Sequence, residues 1–399
     1  MGVQITDCTI RDGGYLLNKN SKPDFIKGIM KGLVDAGIDY VETGFLQKNI
    51  TGETLVYADS NDVIKYLPED RKKTEFLGFC DNSRYSLENL DTYTGKSFKW
   101  LRISFAQHEI DQAIEFCKGA KKKGYLIQFN PMDSIGYTDE KRRVLIEKVN
   151  KVKPASFSIV DTFGAMDMKN LVRIFRQVDS LLDNEIKIGL HSHDNLGLSC
   201  ALAERMIELS EECNRDIIVD GSLFGMGRGA GNAKTELLAD YINKNCGGNY
   251  NIQKLLETID RYITPLLKDI KWGYDLPMYI CGTRHSHVDN VYHLENEYRC
   301  TANEMYDVIE KLKGNPVFSM ADAVNPGFIN LNLDEAFLGD YLRKMQADPD
   351  LSVEKVKEPK KIIIDYGGPN VAKPLHVGHL RSAIIGESIK RMGRFMGHE

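Results

Sequence analysis

Three short runs combine residue types that can bind a divalent ion and steady a negative charge. They are Asp-Cys-Thr-Ile-Arg-Asp-Gly at 7–13, His-Ser-His-Asp-Asn at 191–195 and Gly-Met-Gly-Arg-Gly-Ala-Gly-Asn at 225–232. His191 and His193 stand two apart, so on a strand both rings project from one face. Two imidazoles and the Asp12 carboxylate would hold one ion and leave positions open for substrate oxygens. A His-x-His pair alone reads more simply as two hydrogen-bonded polar residues; Asp12 and the glycine-rich run favour the ion site. An ion chelated by the carboxylate and keto oxygens of a 2-oxo acid polarises the carbonyl as a Lewis acid. Breaking the adjacent bond, or removing a proton, leaves an enolate, and Arg11 is suited to stabilise its oxyanion. The alternative for Arg11 is a structural pair with Asp12 or Glu42.

These residues need a scaffold that brings distant positions together. Short apolar runs at 3–7, 40–44, 75–79, 100–104, 126–130, 156–161, 187–191 and 217–221 alternate with amphipathic stretches such as 23–36. In that stretch Phe25, Ile29, Leu33 and Val34 recur at helical steps. Eight such units predict an α/β fold, a (β/α)8 TIM barrel over residues 1–245. The alternative, a doubly wound open sheet, lacks a Gly-x-Gly-x-x-Gly turn after the first strand. Arg11 and Asp12, Glu42, Arg102, Gln128 and Asn130, Asp161 and Thr162, His191 and His193, and the glycine-rich run all fall at or just past strand ends, the face where a barrel carries its active site. Residues 246–313 predict a helical extension over the barrel mouth, broken at 273–277.

Together the three motifs resemble the DRE-TIM metallolyase superfamily, which includes 4-hydroxy-2-oxovalerate aldolase and 3-hydroxy-3-methylglutaryl-CoA lyase, over about residues 1–310. The resemblance implies a divalent-metal-dependent aldolase or lyase acting beside the carbonyl of a 2-oxo acid of the pyruvate type. It implies Asp12, His191 and His193 as metal ligands, Asn232 as a further ligand, and Arg11 as the enolate stabiliser. Manganese or magnesium is the expected ion, with zinc also compatible. The aldolases carry a histidine where this chain has Tyr15, and the lyase's cysteine is absent from the glycine-rich run. Tyr15 is therefore a candidate acid/base group beside Glu42. The stretch 272–279 resembles the aldolase segment that brings a tyrosine to the mouth, which makes Tyr274 and Tyr279 candidates too. Arg102, Gln128, Asn130, Thr162, Gly227 and Gly229 are expected to bind substrate.

From about residue 314 the chain resembles arginyl-tRNA synthetase, with a strand expected at 361–366 and the class I His-x-Gly-His signature after it. That family's ATP contacts would fall on Asn370, Lys373, His376, Gly378 and His379. The sequence reaches Glu399 about one helix past the signature. The segment 314–399 is therefore read as a truncated fusion, loosely docked and with at most vestigial ATP or tRNA binding.

Composition is ordinary for a soluble globular protein, with 42% hydrophobic and 27% charged residues and a net charge of −5, and a cytoplasmic location is expected. This gives no global drive toward nucleic acid or anionic membrane, so tRNA is expected only through the C-terminal segment. Eight scattered cysteines without a Cys-x-x-Cys pair suit reduced thiols. The opening Met-Gly-Val-Gln-Ile-Thr reads as the start of a strand rather than an acylation signal. Expected partners are a 2-oxo acid with an aldehyde or acyl co-substrate, and a second copy in a homo-oligomer. Two other classes stay open: a synthetase-derived protein, and a barrel that binds ligand without turnover.

Overall fold

The computed structural model describes residues 2–48, 52–313, 318–324, 328–351, 353–365 and 377–399. The chain divides into two compact units, one formed by Met1–Glu310 with Ala323–Phe328 and the other by Lys311–Asp322 with Ile329–Glu399.

The first unit is a closed parallel barrel. Its strands are β1 (Val3–Asp7), β2 (Tyr40–Leu46), β4 (Glu75–Asp81), β5 (Trp100–Phe105), β6 (Leu126–Pro131), β7 (Ser156–Asp161), β8 (Lys187–Ser192) and β9 (Ile217–Gly221), with a short β3 (Val56–Tyr57) added beside β2. They pair in the order β1-β9-β8-β7-β6-β5-β4-β2, and β1 pairs with β2 through Thr6–Tyr40 and Asp7–Val41 to close the ring. Every residue of β2, β5, β7 and β9 is buried, as expected of parallel strands covered on both faces. Tyr40, Leu77, Trp100 and Ile218, all near strand starts, form a separate apolar cluster. This leaves the C-terminal ends for polar residues.

The helices follow from their sequence periods. In α2 (Pro23–Ala36), after the single turn α1 (Thr9–Asp12), Ile26, Ile29, Met30, Leu33 and Val34 are buried. Pro23 opens α2, and Gly37 closes it with a left-handed φ of 79°. The rest of the outer layer is α3 (Ile110–Lys122), α4 (Asp139–Val152), α5 (Met168–Leu181), α6 (Ser199–Cys213) and α7 (Thr235–Asn245). Two expected barrel helices are absent among the described residues: only the 3-10 turns Ile64–Tyr66 and Leu87–Asn89 follow β2 and β4. Those connections are rich in Asp, Asn, Ser, Gly and Pro, whose local bonding competes with helix.

After α7 come α8 (Ile252–Thr258), a π turn, a 3-10 turn, α9 (Leu276–Arg284), α10 (Val288–Asn296) and α11 (Ala302–Lys313). The helix restarts inside the expected break, because Asp275 caps α9 by accepting from Met278 N at 2.8 Å and Pro277 sits in its tolerant first turn. No helix among the described residues is long and apolar enough to cross a membrane, and all eight cysteines are free.

The second unit holds a two-stranded sheet, β10 (Phe318–Val324) with β11 (Phe328–Leu333), and the helices α12 (Glu335–Ala347) and α13 (Val377–Phe395). Asp334 caps α12 through Phe337 N at 2.9 Å. Residues 361–365, expected as part of a strand, have no regular structure; Ile362 N instead donates to Glu399 O. A strand without a partner sheet leaves its backbone groups unpaired.

Candidate metal centre

The chain leaves β1 through the single turn α1, which carries Arg11 and Asp12 inward, both buried. The turn is pinned by Asp7, which accepts from Thr9 N at 2.9 Å and from Thr235 Oγ1 at 2.6 Å, and by Thr9 Oγ1, which accepts from Leu223 N. Arg11 donates from Nε to Glu42 Oε2 and from Nη1 to Asp12 Oδ1, each at 2.7 Å. Its guanidinium lies 4.6 Å from the Phe79 ring centre. Arg11 Nη2 makes no hydrogen bond among the described residues, so a donor remains for an oxyanion.

Ligand atoms of Asp12, His191 and His193 all lie within 4.8 Å of one another. His191 Nδ1 is 3.0 Å from Asp220 Oδ2, and His193 Nδ1 is 3.2 Å from Gly231 O. Both partners can only accept, so both rings carry a proton on Nδ1, and a ligand lone pair, where present, is on Nε2. Burial pushes His193 down to about 4, which keeps it neutral. Burial alone would raise Asp12, but Arg11, then His193 and His191, outweigh it and hold the carboxyl well below the usual range. Asn232 donates from Nδ2 to Asp12 Oδ2 at 2.6 Å, while its buried Oδ1 has no partner. A carboxylate, two imidazoles and an orphaned amide oxygen form a donor set suited to one divalent ion.

The glycine-rich run is pressed against this cluster. A Cβ on Gly227 would lie 2.1 Å from Asn232 Nδ2 and 2.6 Å from Asp12 Oδ2. Asn195 fixes the run by accepting from Ala230 N at Oδ1, and Asp194 N donates to Gly231 O. Gly229 holds a φ of +66°.

Asp220, not singled out from the sequence, supports His191 from below. It accepts from Arg102 Nη1 at 2.6 Å and Nη2 at 3.0 Å, and Arg102 also donates to Gln128 Oε1 and approaches Glu42 Oε1 at 3.3 Å. Arg102 and Gln128 are thus joined to each other in the barrel interior. Cys8, His191 and Asp220 form a second close group, but Arg102 Nη1 reaches both Asp220 and Cys8 and already supplies its positive charge.

Other expected residues take different places. Tyr15 stacks edge-on to Phe45 at 5.0 Å, and burial raises its phenol above the ordinary value. Asn130 is buried with Oδ1 unpartnered, and Thr162 Oγ1 accepts from Asp133 N. Tyr274 and Tyr279 are 63% and 40% exposed and make no hydrogen bond to the cluster. Tyr279 lies off the α9 face that buries Met278, Cys281 and Gly282. Asn370, Lys373 and His376 fall outside the described residues, and Gly378 and His379 lie in the first turn of α13.

Residues 90–261 match the family described as HMGL-like, and residues 343–399 match the class I (R) tRNA synthetase catalytic domain. The N-terminal domain of a candidate aldolase from Bacteroides vulgatus superposes with a TM-score of 0.65 at 26% identity, covering 76% of this chain and 99% of that one. The HMG-CoA lyase of Brucella melitensis gives 0.54 at 15% identity, over 67% of this chain and 99% of the lyase, a likeness of fold. The arginine–tRNA ligase of Agathobacter rectalis is 51% identical over 104 residues, 26% of this chain and 17% of the ligase. The chain therefore spans about a sixth of the length of that curated relative. Along the chain, a stretch similar to the HMGL-like (DRE-TIM) family at residues 90–261 is followed by one similar to the class I (R) synthetase catalytic domain at 343–399.

Proposed function

We propose that the barrel is a divalent-metal-dependent carbon–carbon lyase, an aldolase working on a 2-oxo acid of the pyruvate type. The observation that carries this reading is the convergence of Asp12, His191 and His193 with the unpartnered Asn232 Oδ1 beside Arg11, whose Nη2 is free among the described residues. The likeness to a candidate aldolase and to lyases supports it. When bound, the ion would be held by Asp12, His191, His193 and Asn232 and would polarise the substrate carbonyl as a Lewis acid.

This chain's own groups supply the rest. In cleavage of a 4-hydroxy-2-oxo acid, the hydroxyl proton leaves, the C3–C4 bond breaks, and its electron pair moves to the 2-oxo oxygen. An aldehyde and a pyruvate enolate result, and a proton returns to C3. Arg11, oriented by Glu42, meets the enolate oxygen with its free donor. In condensation Tyr15, kept as a phenol by burial, gives its proton to the forming alkoxide, and the phenolate so formed is reprotonated by the proton that the pyruvate methyl released on forming the enolate. Arg102, Asp220 and Gln128 act through His191 and Glu42 as positioning residues, and Asn130 and Thr162 face the substrate chain.

The test is exchange of pyruvate methyl protons for deuterium, followed by NMR with Mg2+, and Asp12→Ala as control. Metal-dependent exchange that disappears in the control is expected. No exchange with Mg2+, Mn2+ or Zn2+ would remove the reading.

A further inference from the structure

We infer that Arg228 anchors an anionic group on the aldehyde side of the substrate, so that the acceptor is an acidic aldehyde. This rests on the aldolase reading above. Arg228 follows Gly227, whose Cα is packed against Asp12 and Asn232, so its backbone starts one residue from the ligand cluster. Its guanidinium lies 5.5 Å from the centre of the Tyr15 ring. Its charge also acts on Tyr15 and His193. A substrate whose carbonyl lies at Asp12, His191 and His193, and which extends past Tyr15, would reach this second arginine.

The arginine has donors to spare. Only Nη2 is engaged, at 2.6 Å from Asp289 Oδ1 and 3.1 Å from His287 Nε2. Nε and Nη1 make no hydrogen bond among the described residues, and the side chain is 26% exposed. Asp289 and His287, at the start of α10, fix the far edge of the guanidinium. Nη1 is left to give a charge-assisted hydrogen bond to a carboxylate. The run carrying it is fixed by Asn195 on Ala230 and Asp194 on Gly231, so the guanidinium is preorganised. A strap between this run and α10 would need only the Asp289 pair and would leave the choice of acceptor untouched.

The experiment pairs pyruvate with succinate semialdehyde or butanal, equal in chain length and differing in the carboxylate, using the full chain with Mg2+. The wild-type protein is expected to prefer the semialdehyde by about 30-fold in kcat/KM, mostly through KM, the scale of a charge-assisted hydrogen bond. Arg228→Gln should abolish the preference, Arg228→Lys should keep part of it, and Asp289→Asn, which frees the far edge of the guanidinium, should reduce it. Equal use of both aldehydes by the wild type, or a preference that survives Arg228→Gln, overturns the inference. So does a preference left unchanged by both Arg228→Lys and Asp289→Asn, since the placement of the guanidinium would then not matter. Should Arg228→Gln fail to fold, the Lys and Asp289 variants decide. Wild-type pyruvate exchange separates the two readings: exchange without acid preference removes only the anchor, whereas no exchange removes the aldolase.

Discussion

His191 Nδ1 lies 3.0 Å from Asp220 Oδ2, and the same oxygen takes a 2.6 Å bond from Arg102 Nη1. Asp220 therefore fixes the ring that offers its lone pair to the site and balances a guanidinium buried in the barrel. Asp220→Asn should weaken Mn2+ binding by about 10–100-fold, the usual cost of losing a carboxylate behind a ligating histidine. It should also destabilise the fold by about 3 kcal/mol, because Arg102 loses a charged partner. Titration by electron paramagnetic resonance and urea unfolding measure the two effects; unchanged Mn2+ affinity would separate Asp220 from the site.

His193 links stability to pH. Burial pushes its folded-state value down to about 4, against an ordinary 6.5 in the unfolded chain. Between these values the unfolded state binds the extra proton, so the contribution is fully present above pH 6.5. It declines as pH falls toward 4, by up to about 1.4 kcal/mol per unit. Urea unfolding in EDTA at pH 4.5, 5.5, 6.5 and 7.5 should show this slope, and His193→Gln should flatten it. An equal slope in the variant would mean that other groups cause it.

The barrel was legible because its strands are compact apolar runs whose ends carry polar residues, and because Asp12, His191, His193 and Asn232 sit in recognisable local patterns. Asp220 was not legible. It is one carboxylate in an otherwise apolar strand, and its partners lie 29 and 118 residues away. Depth along a strand was equally invisible. Arg102 and Gln128 are the third residues of β5 and β6, where they bond each other, whereas Asn130 lies nearer the end of β6. Arg228 was hidden inside a run read for its glycines, because its partners His287 and Asp289 belong to a distant helix.

Gly227 permits the close approach of the glycine-rich run to Asp12. In Gly227→Ala the new methyl group would occupy the space of Asn232 Nδ2, so Asp12 and Asn232 must part. We expect Mn2+ affinity to fall at least about tenfold, by analogy with loss of a ligand's support, with circular dichroism unchanged. Affinity within twofold of the wild type would mean that the run simply shifts.

Residues 353–365 form neither helix nor strand, and Lys357, Lys360 and Lys361 are exposed. Limited trypsin digestion should therefore cut first at these lysines and leave the barrel unit intact, because proteases act on extended, exposed backbone. Mass spectrometry of the first products tests this. Initial cleavage within α3 or α4 would show the barrel to be the weaker element.

Tyr15 completes the chemical argument, since its phenol is raised above 10 by burial despite the opposing charges of Arg11 and Arg228. In the proposed reaction it would therefore act as an acid, not as a resident base. Two consequences are measurable. Tyr15→Phe should lower aldol turnover by about 10²–10⁴, the range for a lost general acid. In the wild type, the loss of rate that accompanies phenol ionisation should come only above pH 10. A wild-type profile falling between pH 7 and 9, or turnover in Tyr15→Phe within a few-fold of normal, would move the proton transfer to another group. Glu42, a buried carboxylate beside Arg11, would then be the next residue to substitute.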